Sequence, residues 1–390
     1  MNISSSRIAR STAFLAVSCL LSVSCRAADN SAKIRAIVDA AVRPVIAEYD
    51  LPGVAVGVTV GGKAYVFNYG VASREKNSPV SDATLFELGS VTKPLTATLV
   101  SYAQVLGKLS LDDHPSKFMP QLKGTAIDKV SVLNLGTYTA GGLPQQFPDE
   151  VADGQMESYF QQWVADAPPG TQRRYSNPSL GLFGHLAAIA LKGDFADLME
   201  QQLFAQLGMK NSYIVRPGTV PADYAWGYDK ANKPVRMQRG VLSDEGGGGI
   251  STAGDLIRLV QANLAPGALR APLRRAVEGT HIGYFAVGPL VQGLGWEQYP
   301  YPVPLATLVA GNSPAMSMEP NAAWLIAEPK APVQATLFNK TGSTRGFGNY
   351  VAFVPQKKLG VVFLANKSAP APARVKVVHT ILTQLDGLAQ

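Results

Sequence analysis

Three short motifs bring together residue types that can carry out serine acyl transfer. They are Ser90-Val91-Thr92-Lys93, Tyr175-Ser176-Asn177 and Lys340-Thr341-Gly342, in that order along 390 residues. A serine hydroxyl becomes a nucleophile when a base takes its proton, and a lysine of lowered pKa can be that base. The set indicates a covalent intermediate on Ser90, with Lys93, Tyr175 and Lys340 managing protons and charge.

The order of the motifs carries more weight than any one of them. The spacing S-x-x-K also occurs at Ser73 and Lys76, so by itself it fits a helix-capping serine and a surface lysine. The Y-x-N and K-[ST]-G motifs each occur once, 85 and then 165 residues further along. Their conjunction favours the catalytic interpretation for Ser90, whereas Ser73 and Lys76 lie in a polar stretch typical of a surface turn.

Ser90 opens a stretch with helical spacing that runs to about Leu106. At a helix N-terminus, the free backbone N–H groups and the helix dipole both favour a developing negative charge. Lys93 lies one turn further on, so its side chain shares a face with Ser90. Burial or a neighbouring cation would lower the pKa of Lys93 and let it take the serine proton.

Tyr175 and Asn177 follow a Pro/Gly-rich loop at residues 168–171, which could bring them to a cleft. A tyrosine held between two lysines has a lowered pKa and can shuttle protons near neutral pH. The alternative is a buried tyrosine with a satisfied hydroxyl. The Asn177 amide could bind a substrate carbonyl.

The third motif is predicted to lie on a strand, because an apolar run precedes it. On that strand Lys340 supplies a fixed positive charge, and Thr341 can bind a substrate carboxylate. Gly342 leaves room for a substrate backbone to approach the strand edge. The Ser343 N–H would join that of Ser90 as the second oxyanion donor.

Residues 1–27 have the organisation of a secretory signal. Arg7 and Arg10 form a basic start, residues 13–23 are apolar but too few to span a bilayer, and Cys25-Arg26-Ala27 is a small-residue cleavage site. An uncleaved membrane anchor and a lipoprotein attached through the cysteine are the alternatives. The pattern predicts a periplasmic protein.

The composition of residues 28–390 argues against several other chemistries. Both cysteines lie in the signal, so neither a disulfide nor a thiol nucleophile is expected. The net charge falls from +7 to +4 without the signal and no long basic run occurs, so nucleic acid is not an expected partner. The four histidines are isolated and no phosphate-binding glycine motif occurs, so no metal or cofactor is expected. No later apolar stretch is long enough to cross a membrane.

Strand-like patterns concentrate at the two ends of the chain. A helix is predicted at 33–48, hairpin strands at 54–60 and 64–69 around Gly61-Gly62, further strands at 350–355 and 359–365, and a helix at 374–385. The predicted fold class is α/β (α+β): an antiparallel sheet flanked by helices, with an inserted, mostly helical lobe. The predicted domains are 28–85 plus 255–390 for the sheet and 86–254 for the helical lobe, with the active site between them.

With its three motifs in place, the chain resembles class C β-lactamases, serine enzymes of the penicillin-recognising group. The resemblance covers essentially all of residues 28–390. Beyond the motifs, it is carried by Phe86-Glu87-Leu88-Gly89, Tyr138-Thr139-Ala140-Gly141-Gly142-Leu143-Pro144, Gln292-Gly293-Leu294-Gly295-Trp296-Glu297, Gly346-Phe347-Gly348-Asn349-Tyr350-Val351-Ala352-Phe353, Leu364-Ala365-Asn366-Lys367 and Pro372-Ala373-Arg374-Val375.

The resemblance implies the β-lactamase/transpeptidase-like fold and a β-lactam substrate, with cephalosporins preferred. It implies that the β-lactam carbonyl acylates Ser90 and that water then hydrolyses the acyl-enzyme, without a metal. Gln146 matches the family's substrate-amide glutamine, and Arg374 matches a substrate-binding arginine. We expect a periplasmic monomer that is not inserted in the membrane.

The chain departs from the family pattern at three places. Glycines occupy 246–249, where a tyrosine usually lines the cleft, so we expect a missing wall and a looser loop. Ala371 replaces a carboxylate-binding asparagine, and Arg345 adds a positive charge beside the third motif. These departures predict an altered substrate spectrum, to be tested by a tyrosine at Gly248.

Other functions of the same fold stay open from the motifs alone. A D-alanyl-D-alanine peptidase would acylate but release β-lactams slowly, and a lactamase-like esterase tends to lose the lysine that Lys340 represents. A penicillin-binding sensor would acylate and stop, but it usually carries a transmembrane segment.

Overall fold

The computed structural model of the chain describes residues 12–214 and 221–388, those of 12–30 without their side chains. The predicted signal cleavage site at Cys25-Arg26-Ala27 lies outside the residues whose side chains are described. Within the described ranges, no helix combines the length and the apolar character needed to cross a membrane.

The described chain alternates helices with strands. The helices are α1 Thr12–Tyr49, α2 Thr92–Val105, α3 Val132–Gly136, α4 Met156–Gln162, α5 Asn177–Leu191, α6 Phe195–Asp197, α7 Ala205–Leu207, α8 Ser243–Gly247, α9 Ala253–Leu264, α10 Ala271–Thr280, α11 Leu305–Gly311, α12 Pro314–Met318 and α13 Ala371–Leu388, with a π-helical turn at Leu198–Phe204. The strands are β1 Gly53–Val60, β2 Lys63–Ser73, β3 Ser78–Pro79, β4 Phe86–Glu87, β5 Gln172–Arg173, β6 Ser212–Ile214, β7 Gly227–Tyr228, β8 Pro234–Val235, β9 Gly249–Ser251, β10 Gly283–Val287, β11 Leu290–Gly293, β12 Glu297–Pro300, β13 Asn321–Ala322, β14 Trp324–Lys330, β15 Thr336–Ser343, β16 Gly348–Val354 and β17 Leu359–Ala365.

The predicted sheet is present, and both ends of the chain build its centre. Its strand order is β14-β10-β11-β12-β15-β16-β17-β1-β2-β3, with antiparallel neighbours. The predicted hairpin turns at Gly61 and Gly62, whose positive φ angles of 56° and 87° suit glycine and match the strand twist. The predicted helices at 33–48 and 374–385 lie within α1 and α13.

The central strands are buried on both faces, which explains why they read as continuous apolar runs rather than alternating ones. On β17, Val361 and Phe363 belong to the core shared with α1 and α13, whereas Val362 and Leu364 belong to the core shared with α9. Helix α2 packs on α5, α8 and α10, and the turn at Gly89–Val91 that precedes it contacts β15 and β16 of the large sheet. Strands β4, β9 and β6 form a separate small sheet.

One buried side chain, Asn366, links the large sheet to the segment that contains Trp226. Its Oδ1 accepts a hydrogen bond from the Gly53 N–H at 2.7 Å, and its Nδ2 donates to the carbonyls of Val71 and Trp226, both at 3.1 Å. A side chain that satisfies three backbone groups is costly to remove, because each orphaned buried group carries its own desolvation penalty.

We predict that Asn366→Leu lowers the free energy of unfolding by about 2–5 kcal/mol, since it orphans buried backbone groups. Urea unfolding followed by circular dichroism measures the change. Asn211→Leu, at an exposed residue, is the matched control. An equal loss in both variants would contradict a special role for Asn366.

Candidate active site

The candidate nucleophile lies on a tight turn of residues 88–91, named here the nucleophile turn. Ser90 sits in a 3₁₀ turn, Gly89–Val91, and α2 begins two residues later than predicted, at Thr92. Gly89 has a φ of +51°, and a Cβ there would lie 2.5 Å from the Ser343 carbonyl oxygen. Only glycine fits such a conformation and such an approach.

Strand β15 meets the nucleophile turn with a glycine of its own. A Cβ at Gly342 would lie 2.2 Å from the Leu88 carbonyl oxygen. The absence of a side chain at Gly342 thus allows a close contact inside the protein, whereas the sequence predicts that it leaves space for substrate. The two glycines bring the backbones of the turn and the strand together, which places Ser90 beside Ser343.

Lys93 is fully buried and lies against the candidate nucleophile. Its Nζ is 2.9 Å from Ser90 Oγ and donates to the Gly246 carbonyl at 2.6 Å. Burial lowers the pKa of Lys93, the nearby Tyr175 opposes that shift, and the charge of Lys340 adds to it. A buried lysine of lowered pKa within hydrogen-bond reach of a serine can act as its base.

Tyr175 lies between the two lysines, as its motif predicts. The Nζ atoms of Lys93 and Lys340 are 5.2 and 4.9 Å from its ring centroid. Burial on its own raises the pKa of Tyr175, but the charges of Lys340 and Lys93 outweigh it and lower the pKa to about 8. Its buried hydroxyl faces Ser90 and Lys93, whose side chains also favour the phenolate, so a proton can pass between these groups.

A second tyrosine holds the ring of the first. Tyr138 packs on Tyr175 with ring centroids 4.8 Å apart. Its φ of +61° is a strained conformation for a bulky residue, at a cost on the order of 1–3 kcal/mol. After Tyr175, Ser176 caps α5 by accepting from the Ser179 N–H at 3.0 Å, which places Asn177 at the first position of the helix.

A buried ion pair that the sequence does not reveal lies behind Lys340. The Lys340 side chain is 3% exposed and its Nζ is 3.9 Å from Glu297 Oε1, which also accepts from Arg173 Nη2 at 3.0 Å. Burying this carboxylate is tolerable only because two cations face it. Glu297 lies in a stretch that carries the resemblance, but no spacing rule links it to Lys340 or Arg173.

The predicted substrate-binding residues meet around the same cleft. Asn177 Nδ2 donates to Gln146 Oε1 at 2.9 Å, so the two amides already form a pair. Arg374 is buried and donates to the Gly342 and Asn349 carbonyls and to Ser343 Oγ, and burial lowers its pKa to about 10. Its guanidinium therefore holds β15, in addition to bordering the cleft.

Two cavities open on either side of Ser90. The larger, of about 810 Å³, is lined by Ser90, Gln146, Asn177, residues 236–243, residues 246–248 and residues 343–345, among others. The smaller, of about 310 Å³, is lined by Ser90, Tyr175, residues 340–343, Asn312, Ala371 and Arg374, among others. No sequence pattern pointed to the wall at 236–243 or to Asn312.

The glycine run at 246–249 is not the loose loop that the sequence predicts. Its residues form the end of α8 and the start of β9, and the Gly246 carbonyl accepts from Lys93. A Cβ at Gly247 would meet backbone atoms of Gly89 at 3.6 Å, an ordinary contact at the floor of the larger cavity. At Gly248 a Cβ would lie 2.8 Å from the Asp244 Cα, so a tyrosine test belongs at 247 and not at 248.

We predict that Lys340→Met raises the pKa of Tyr175 by roughly one to three units, because the phenolate loses a neighbouring positive charge. At any fixed pH the variant then holds less phenolate than the wild type. Titration of ¹³Cζ-labelled tyrosine by NMR measures it, with Lys108→Met, at an exposed lysine, as the control. An unchanged pKa in Lys340→Met would show that the lysine does not set it.

Comparison with known proteins gives one consistent family. The beta-lactamase family model matches residues 38–384. A beta-lactamase of Pseudomonas fluorescens is 51% identical over 354 residues, covering 90% of this chain and 99% of the relative. A beta-lactamase of Lysobacter lactamgenus is 46% identical and covers 91% and 94%.

Solved structures agree with the sequence relatives. A class C beta-lactamase in complex with cefoxitin is 44% identical with a TM-score of 0.87, covering 91% of this chain and 99% of that one. A structure titled D-alanine carboxypeptidase AmpC from Burkholderia cenocepacia is 47% identical with a TM-score of 0.86 and the same coverage. The sequence-based resemblance is confirmed: the chain belongs to the beta-lactamase family and to its class C group.

Proposed function

We propose that this protein hydrolyses the amide bond of β-lactam antibiotics, with cephalosporins preferred, through an acyl-enzyme on Ser90. The observation that carries the proposal is the buried cluster in which Lys93 Nζ lies 2.9 Å from Ser90 Oγ, with Tyr175 between Lys93 and Lys340. This cluster provides a nucleophile, a base and a second proton carrier in one water-poor site.

In acylation, the Ser90 hydroxyl gives its proton to the Lys93–Tyr175 pair while Oγ attacks the lactam carbonyl. The developing oxyanion is bound by the N–H groups of Ser90 and Ser343, and each such donor is worth about 3 kcal/mol of transition-state stabilisation. The C–N bond then breaks, and the ring nitrogen takes a proton from the same pair.

In deacylation, a water attacks the ester carbonyl and gives its proton to the Lys93–Tyr175 pair. The bond between the carbonyl carbon and Ser90 Oγ then breaks, and Oγ takes a proton back from the pair. Both groups are shifted toward neutral pH, Lys93 downward and Tyr175 to about 8. Two groups in such close contact titrate together, so the base is the pair and not one member of it.

Substrate binding is divided between the two cavities. Gln146 and Asn177 border the larger cavity and would bind the amide of the acyl side chain. Lys340 and Thr341 border the smaller one and would bind the substrate carboxylate. Among the described strands, β12 pairs with β15 only from Thr336 to Asn339, which leaves the strand edge beyond it free for substrate.

Export to the periplasm and action as a monomer belong to the same proposal. Export is supported by the signal-like pattern of residues 1–27, and the monomeric state is an expectation from the class C resemblance. No metal is needed in this mechanism. Within the described ranges, no three His, Cys, Asp or Glu side chains come together as a metal site.

We predict that the protein exported from the full-length gene turns over a chromogenic cephalosporin many times and that Ser90→Ala abolishes turnover, because the variant has no nucleophile. Rates are followed by absorbance, and intact mass reports both an N-terminus at Ala28 and any acyl adduct. A stable one-drug adduct on the wild type without turnover would replace the lactamase with a peptidase, the activity named for the Burkholderia cenocepacia relative. No adduct at all would point to an esterase.

We predict that Gly247→Tyr lowers kcat/KM for cephalosporins with bulky acyl side chains by about tenfold or more and leaves small ones within about twofold, because the ring fills the floor of the larger cavity. Steady-state kinetics on a matched pair of substrates measure the ratio. Gly247→Ala, which adds only a Cβ at ordinary contact distance, is the control. An equal loss for both substrates would mean that the tyrosine distorts the nucleophile turn instead.

A further inference from the structure

Glu87 is a buried carboxylate that the mechanism above does not use. It is fully shielded from solvent, and within the described residues no Lys, Arg or His forms an ion pair with it. Burial raises its pKa, although three hydrogen bonds favour the charged form. The charge of Arg236 also favours the charged form, although Arg236 forms no ion pair with the carboxylate. Keeping an acid buried without a direct ion pair is costly, so its presence calls for a role beyond stability.

The carboxylate joins three separate segments. Its Oε1 accepts from the Tyr224 hydroxyl at 2.7 Å and, at 2.8 Å, from the N–H of Met237, a residue of the cavity wall. Its Oε2 accepts from Thr344 Oγ1 at 2.5 Å, at the end of β15. Glu87 lies three residues before Ser90, and Thr344 lies one residue after Ser343.

The main chain of Glu87 is held as well. Asn349 Nδ2 donates to the Glu87 carbonyl at 2.7 Å and to the Leu88 carbonyl at 3.1 Å. The nucleophile turn is therefore fixed to β16 from one side, and its approach to β15 is limited by the Gly89 contact with Ser343.

The end of β15 is held from both sides of Ser343. On one side, Arg374 donates to the Gly342 carbonyl and, at 2.9 Å, to Ser343 Oγ. On the other side, Glu87 accepts from Thr344. Without the second contact, the Thr344 side of Ser343 would be held by the Thr344 N–H bond to the Phe347 carbonyl, at 3.1 Å, and by the pairing with β16, with no side-chain link to the nucleophile turn.

We propose that Glu87 is a positioning residue that acts through Thr344 to set the distance between the Ser90 and Ser343 N–H groups. The inference rests on the proposed function, because those two groups are the oxyanion donors of that mechanism. Oxyanion donors work only within a few tenths of an ångström of the ideal distance. The Glu87–Thr344 hydrogen bond is a side-chain link between the two segments that carry these donors, so it acts directly on the distance between them.

The test compares two variants that each remove one hydrogen bond to the same carboxylate. Thr344→Val removes the hydrogen bond that the Thr344 hydroxyl donates to Glu87, and Tyr224→Phe removes the one that the Tyr224 hydroxyl donates to it. We expect Thr344→Val to lower the acylation rate per titrated site by about tenfold and to weaken binding of a boronate transition-state analogue by the same factor, with KM within about twofold. Thr344→Ser keeps the hydroxyl and should restore both.

Tyr224→Phe separates positioning from stability. It should lower the melting temperature about as much as Thr344→Val and leave acylation within about twofold of the wild type. Equal losses of acylation in the two variants would overturn the proposal in favour of a structural role, as would unchanged acylation in both. If Thr344→Val does not fold, Thr344→Ala carries the same expectation.

A second substrate excludes direct contact, since Thr344 also borders the larger cavity. Two cephalosporins with different acyl side chains should lose the same factor in Thr344→Val, because the oxyanion is common to both. A loss confined to one substrate would overturn the proposal. Wild-type turnover in the same assay tests the proposed function separately, because acylation can be measured even where turnover fails.

Discussion

The site depends on one backbone contact, that of the nucleophile turn with the end of β15. Gly89 lies against the backbone of Ser343 and Gly342 lies against the Leu88 carbonyl, and neither position has room for a Cβ. The contact joins the helical lobe to the sheet, because Ser90 leads into α2 and Ser343 ends β15. The two cavities then lie on either side of it. Most residues that border the substrate cleft are placed by this contact or by the elements that converge on it.

The second constraint is electrostatic. Lys93 and Lys340 are almost completely buried around a single phenol, which would be prohibitive without compensation. The compensation is unequal: Glu297 lies 3.9 Å from Lys340, whereas Lys93 forms no ion pair with a carboxylate of the described residues and contacts the Ser90 hydroxyl, the Gly246 carbonyl and Tyr175. Lys340 thus keeps a counter-ion, which suits the fixed charge proposed for it. Burial lowers the pKa of Lys93, so its proton is easier to remove than that of an exposed lysine, as its proposed role as a base requires.

The sequence predicted local features well and long-range ones poorly. The hairpin at Gly61, the terminal helices and the three motifs depend on short spacings, which a sequence displays directly. The partners Glu297 and Arg173 lie 124 residues apart along the chain and meet only because the sheet and the lobe pack together. The same holds for Glu87 and Thr344, 257 residues apart. Such pairs have no periodicity, so only the fold reveals them.

The glycine run shows where a local rule fails for a physical reason. Glycine loses more conformational entropy on ordering than any other residue, by roughly 0.5–1 kcal/mol relative to alanine, so four in a row predict a mobile loop. Here the run is held where it begins. Thr96 donates to the carbonyl of Glu245, the residue before the run, at 2.7 Å, and Lys93 donates to the Gly246 carbonyl at 2.6 Å. These bonds need only backbone atoms, so they order the segment without side chains. The result is an ordered floor that takes no volume from the larger cavity. The pocket can therefore be wide although the segment that forms its floor is not flexible.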